Sequence, residues 1–139
     1  MALSGYSGTP LAKKLGIKPG QRVFVEHSPV DYRSLVDPLP EGVALVKRPA
    51  GKVDFIHLFT RETRQLYKKL AGYRRKIVEN GTIWVSWPKK ASKVPTDITE
   101  DVIRAIALPL GYVDVKVCAV DETWSGLKLV IRVENRFDV

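Results

Sequence analysis

Apolar residues recur along the chain in short blocks, and their spacing switches between the period of a strand and that of a helix. Arg22-Val23-Phe24-Val25-Glu26 predicts a first strand and Val43-Ala44-Leu45-Val46 a short second one. Val53-Asp54-Phe55-Ile56-His57-Leu58-Phe59 predicts a third, apolar on both faces as a strand covered by helices on each side must be. Thr82-Ile83-Trp84-Val85-Ser86-Trp87 predicts a fourth, holding two of the three tryptophans. Two long strands, Tyr112 to Val120 and Leu127 to Val133, are expected after Gly111, joined as a hairpin by Asp121-Glu122-Thr123-Trp124-Ser125-Gly126.

Helical spacing fills the intervals. Leu11 and Leu15 share a face behind Thr9 as N-cap and Pro10 at the first helical position, and Gly16 ends that short helix. Pro29 opens another, to about Leu35, before Pro38, Pro40 and Gly42 break the chain. Thr60 is expected to cap a helix whose stripe is Leu66, Leu70, Tyr73 and Ile77, with Asn80-Gly81 as its left-handed stop. Asp97-Ile98-Thr99-Glu100 fits a capping box. The helix it opens turns Ile98, Val102, Ile103 and Ile106 inward and stops before Pro109. The order β-α-β-β-α-β-α-β-β predicts a Rossmann-like α/β domain with a mainly parallel sheet between helical layers and a C-terminal antiparallel hairpin. At 139 residues the chain is the size of one domain, taken as 1–139 with a Gly/Ser-rich arm over 1–8.

Composition narrows the class. Hydrophobic residues at 45% and charged residues at 27% are ordinary for a globular protein. No segment reaches the roughly 20 apolar residues of a membrane helix, and Met1-Ala2-Leu3-Ser4-Gly5-Tyr6 has no signal-peptide character, so a cytoplasmic protein is expected. One cysteine, Cys118, rules out an internal disulfide, and with His27 and His57 it offers no zinc set. The formal charge of +8 is uneven: residues 1–93 hold 18 Lys/Arg against 7 Asp/Glu, and the remainder 5 against 8. Such an excess suits an anionic partner, whether phosphate, nucleotide or nucleic acid.

Three stretches carry a resemblance. Gly5-Tyr6-Ser7-Gly8-Thr9-Pro10-Leu11-Ala12-Lys13-Lys14-Leu15-Gly16-Ile17-Lys18, the run from Ile83 to Asp101, and Val113 to Arg132 resemble a bacterial family of unknown function, which brings no activity with it. The layout is also similar to that of class I S-adenosylmethionine-dependent methyltransferases. Leu15 to Val23 is like the lead-in to that fold's first strand, Asn80-Gly81-Thr82-Ile83-Trp84-Val85 like the turn into its fifth, and the final hairpin like its sixth and seventh. The resemblance implies a glycine-rich loop after the first strand and an acidic residue ending the second. Here the first position reads Glu26-His27-Ser28-Pro29-Val30-Asp31, without glycine. Glu41 and Asp54 are acidic residues of the next stretch, and neither marks a strand end. The interval from Glu26 to Val53 is short for two strand-helix units, so the cofactor half looks truncated and no cofactor is expected.

Ligands of open α/β sheets sit outside the carboxyl ends of the strands. That directs attention to Trp87-Pro88-Lys89-Lys90-Ala91-Ser92-Lys93. Lys89, Lys90 and Lys93 supply charge, Ser92 a hydroxyl, and Trp87 a ring for stacking. His27 and Ser28, just past the first strand, join them as candidate anion ligands. Trp84 and His57, mid-strand, are expected in the core, and a triad of Ser86 with either histidine and Asp97 lacks the Gly-x-Ser-x-Gly elbow. Asp121 and Glu122 read as turn residues, and the basic helix from Arg61 to Lys76 as a solvated face. The sequence thus predicts a non-catalytic binding or regulatory module with an anion-binding loop; a minimal methyltransferase-like enzyme and an interaction subunit are the alternatives.

Overall fold

The computed structural model describes residues 8–137, so all of the expected arm but Gly8 lies outside the described residues. Four helices, α1 (Leu11–Leu15), α2 (Tyr32–Leu35), α3 (Thr63–Tyr73) and α4 (Glu100–Ala107), surround six strands: β1 (Arg22–Glu26), β2 (Ala44–Val46), β3 (Val53–Phe59), β4 (Ile77–Pro88), β5 (Tyr112–Ala119) and β6 (Trp124–Ile131). The sheet order is β2-β1-β3-β4-β6-β5. β2, β1, β3 and β4 run parallel, and β6 is antiparallel to both of its neighbours. The mainly parallel α/β sheet with a reversed C-terminal strand is the architecture that the alternation of periods predicts.

Period-2 alternation in strands that are apolar throughout builds two cores, one on each face. On one face Ile56, Leu58, Ile83, Val85, Trp87 and Leu127 meet Leu66, Leu70 and Tyr73 of α3 and Ile103 and Ala107 of α4. On the other, Val23, Phe55, Phe59, Trp84 and Trp124 meet Ala12 and Leu15 of α1 and Tyr32 and Val36 around α2. Trp84 has no exposed surface, and its indole N–H donates to the Leu15 carbonyl at 2.8 Å, which ties α1 to the sheet centre.

Several local expectations are corrected. Pro10, not Thr9, occupies the N-cap of α1, with no side-chain cap bond; Gly16 ends the helix at φ 80° as expected. α2 begins at Tyr32 behind Asp31 rather than at Pro29. Thr60 does not cap α3, which starts three residues later; the Thr63 N–H instead finds Asp97 Oδ1 at 2.8 Å. Asp97 is therefore spent on α3, and Thr99 caps α4 by accepting from Val102 N.

Ile77 is buried because it opens β4, not because α3 reaches it, and Asn80-Gly81 lies inside that strand. The register slips there: Val53 pairs Ile77 but Phe55 pairs Thr82. Such a bulge needs a residue without a side chain where backbones approach. A Cβ on Gly81 would meet Ile77 and lie 3.0 Å from the Asp54 carbonyl. β6 starts at Trp124, three residues before the sequence predicts, since Asp121 Oδ1 accepts from both Thr123 N and Trp124 N at 2.8 Å and tightens the hairpin turn. Val133 belongs to a 3₁₀ turn beyond the strand. Among the described residues no helix is long and apolar enough to cross a membrane.

Candidate functional site

β1, β3 and β4 end on one rim of the sheet. The chain leaves β1 towards β2 on one side and returns to β3 on the other, so the strand order reverses between β1 and β3. Crevices of open α/β sheets form at such a point. A cleft of about 550 Å³ opens there, within the size range of small-molecule sites. His27 and Pro29 follow β1, Phe59, Thr60 and Arg61 end β3, and Val94, Thr123 and Trp124 close the far wall.

Each wall is held from behind. His27 takes φ 61°, a left-handed conformation uncommon for a residue with a side chain. It stands where a glycine would be expected in a dinucleotide-binding turn. Glu26, just before it, accepts Lys69 Nζ at 2.5 Å and a short bond from the Tyr73 hydroxyl, pinning α3 to the end of β1. Burial pushes the Glu26 carboxyl up, but the Lys69 and Tyr73 bonds outweigh it and hold the group below the ordinary carboxylate value. Thr60 N donates to the Ser86 carbonyl at 3.0 Å, and its hydroxyl donates to Gln65 Oε1 at 2.5 Å.

The floor is aromatic. Phe59 meets Trp124 edge-on at 5.3 Å and stacks on His57 at 4.3 Å. Beneath it lies a closed polar chain: the Tyr32 hydroxyl bonds His57 Nδ1 at 2.7 Å, and His57 Nε2 bonds Ser86 Oγ at 2.7 Å. His57 and Ser86 have no exposed surface. Burial drives the imidazole down to about 3 and the Tyr32 phenol well above its ordinary value. His57 is thus a satisfied core histidine, as expected, and Asp97 stands away from it, bonded to Thr63.

The predicted site residues divide. His27 lines the cleft; Ser28 does not, its hydroxyl turned onto the Val30 carbonyl at 2.7 Å. Trp87, expected to stack on a ligand, is instead buried in the α3–α4 core because strand alternation turns it there, which leaves Trp124 as the tryptophan on the cleft wall. Ser92 donates to the Lys89 carbonyl at 2.7 Å, so its hydroxyl proton serves the loop. Lys89 and Lys90 lead into a 3₁₀ turn (Lys90–Ser92) that Lys93 ends at φ 63°, one residue before Val94 of the cleft wall. Lys89 N donates to the Thr123 carbonyl at 2.8 Å, so the lysine loop rims the cleft without forming its floor.

Sequence reasoning missed Arg61, Thr60, Gln65 and Trp124. A signal existed for Arg61, as the first cation after a buried strand. Trp124 falls in the stretch that the sequence predicts as a hairpin loop, whereas it opens β6. Among the described residues, Arg61, Lys89, Lys90 and Lys93 form no ion pair. Lys47 and Arg48 follow β2 on the same rim.

The resemblance to methyltransferases implies adenosylmethionine, and the residues present do not fit it. That cofactor's ribose wants a carboxylate at the end of β2, where Lys47 and Arg48 stand, and Asp54 is bonded at 2.8 Å to Arg22 N on the opposite rim. Pro29 lines the cleft just after β1, where a glycine loop would leave the backbone open to the cofactor.

No protein-family model matches the chain, and no curated protein matches it. Solved structures are similar to it. A SAM-dependent methyltransferase from Aquifex aeolicus superposes with TM-score 0.64 at 15% identity, covering 87% of each chain. A methyltransferase from Pyrococcus furiosus gives 0.54 at 15% identity, over 87% of this chain and 82% of that one. A ribosomal protein L11 methylase from Lactobacillus delbrueckii subsp. bulgaricus gives 0.54 at 12%, over 86% and 73%. At these identities the likeness speaks to architecture: the chain has a class I methyltransferase-like Rossmann fold over most of its length.

Proposed function

We propose that this protein is a binding module that takes a small anionic ligand of the nucleotide or phosphate class in the carboxyl-rim cleft. The observation that carries the reading is the cleft's position at the β1–β3 reversal, with aromatic rings on one wall and Arg61 on another. Phe59 and Trp124 are buried, at 2% and 9% exposure, and reach the cleft only as its apolar lining. Arg61 suits bidentate phosphate binding, and the Lys89–Lys93 loop adds point charges at the rim. A binding rather than catalytic reading is supported by the groups beneath the cleft, although His27 and Glu62 are titratable groups on its lining. The titratable groups nearest the cleft floor, His57 and Tyr32, are buried and bonded to each other, and Glu26 is held by Lys69 and Tyr73.

The test is a thermal-shift panel of ADP, ATP, inorganic pyrophosphate and adenosylmethionine at low salt. A ligand at 100 times its Kd adds about 2.7 kcal/mol. Stabilisation by a nucleotide that is lost in Arg61→Glu supports the reading. Stabilisation by adenosylmethionine alone replaces it with the methyltransferase-like alternative, with which the fold neighbours are compatible.

A further inference from the structure

A second cationic cluster lies away from the cleft, on the α1 face of the sheet. Lys128 of β6 pairs in register with Trp84 of β4 on one side and Lys116 of β5 on the other. Directly opposed residues of antiparallel strands point to the same face, so Lys116 and Lys128 stand beside one another on the face where Trp84 packs. The Lys128 ammonium reaches the end of α1: a Cβ built on Gly16 would lie 4.0 Å from its Nζ. Lys18, two residues beyond Gly16, acts on the same ammonium. Burial first, then Lys116 and Lys18, push the Lys128 pKa below its ordinary value. Among the described residues none of the three makes an ion pair.

Like charges facing each other across a strand pair are destabilising. Proximity of Lys128 to the α1 carbonyl end accounts for one ammonium there. It gives no reason for Lys116 to stand directly opposite it, with Lys18 following two residues after Gly16. A multivalent anion does, since it offsets the repulsion of Lys128 by Lys116 and by Lys18.

We propose that Lys18, Lys116 and Lys128 form a second anion site that takes a phosphate group, either free as in pyrophosphate or within a phosphodiester backbone. Lysines bind phosphate as point charges and need no fixed fork geometry, which fits Lys116 and Lys128 paired across β5 and β6 with the Lys128 ammonium beside Gly16, two residues before Lys18. The site is independent of the rim cleft, because it lies mid-strand on the face rather than beyond the strand ends.

The experiment uses the full chain carrying Lys89→Glu and Lys90→Glu, which weakens the rim. Lys116→Gln and Lys128→Gln are added singly. Without anion, Lys116→Gln is expected to melt at the same temperature or higher, because a repulsion is removed. Calorimetric titration with pyrophosphate, and anisotropy of a labelled single-stranded oligonucleotide at several salt concentrations, report binding. Either probe binding with about tenfold weaker affinity in both glutamine variants supports the site. Pyrophosphate binding assigns a free phosphate, and binding of the oligonucleotide alone assigns the phosphodiester. For the oligonucleotide the log–log salt slope should fall by about 0.7 per lysine removed. Neither probe binding, unchanged affinity in the variants, or a lower melting temperature for Lys116→Gln without anion overturns it.

Discussion

His57 makes folding stability depend on pH in a window where few other groups titrate. Its imidazole has no exposed surface and spends both nitrogens on Tyr32 and Ser86. Burial lowers its pKa from 6.5 to about 3. Between those values the unfolded chain binds a proton that the folded one does not, so acid favours unfolding. The slope is about 1.4 kcal/mol per pH unit, and taking the protein from pH 6.5 to 5 should remove about 2 kcal/mol. Carboxylates with lowered values, such as Glu26, act in the same direction but only below about 4.5, so they leave this window clear. Urea unfolding at pH 7, 6 and 5, followed by tryptophan fluorescence, measures the effect. His57→Gln keeps hydrogen-bonding capacity without a titrating ring. It should cost about 1–3 kcal/mol at pH 7 through imperfect bonds, and its stability should change far less between pH 6.5 and 5. Equal wild-type stability at pH 7 and 5, or the same slope in His57→Gln, would refute the reasoning.

Other perturbations read separate links. Gly81→Ala should destabilise by about 1–3 kcal/mol in equilibrium unfolding, since the new methyl has Ile77 and the Asp54 carbonyl in its place. Trp84→Phe removes the bond to Leu15 and leaves a cavity beside α1, so a loss of about 2–4 kcal/mol is expected, with faster amide exchange in α1. Asp97→Ala and Thr99→Ala should each cost about 1 kcal/mol, the first fraying the start of α3 and the second that of α4, as hydrogen exchange at Thr63 and Val102 would report.

The fold was legible where burial and period agree. Arg22–Glu26 and Val53–Phe59 match their strands end to end because each has a compact apolar centre rich in Val, Phe and Ile and is bounded by turn residues. The misreadings share a physical cause, which is tertiary partners overriding local signals. Asp97 has the chemistry of an N-cap, but the nearest orphan N–H is on α3, across the fold. Asn80-Gly81 has the chemistry of a helix stop, yet the glycine is needed where β4 bulges against Asp54. Trp87 and Trp124 exchange roles for a similar reason. The first lies on the strand face that α3 and α4 cover, and the second is drawn to the rim by a hairpin turn that Asp121 tightens. The cleft itself could be located only as a strand end, because its walls come from four separate parts of the chain.

The cleft is tested most directly by amide and indole NMR of the protein titrated with ATP at low salt. Saturable shifts are expected at His27, Thr60, Arg61, Thr123 and the Trp124 indole, with the Trp84 indole unmoved behind its bond to Leu15. Shifts confined to Lys18, Lys116 and Lys128, or none at millimolar ATP, would contradict a ligand site at the carboxyl rim.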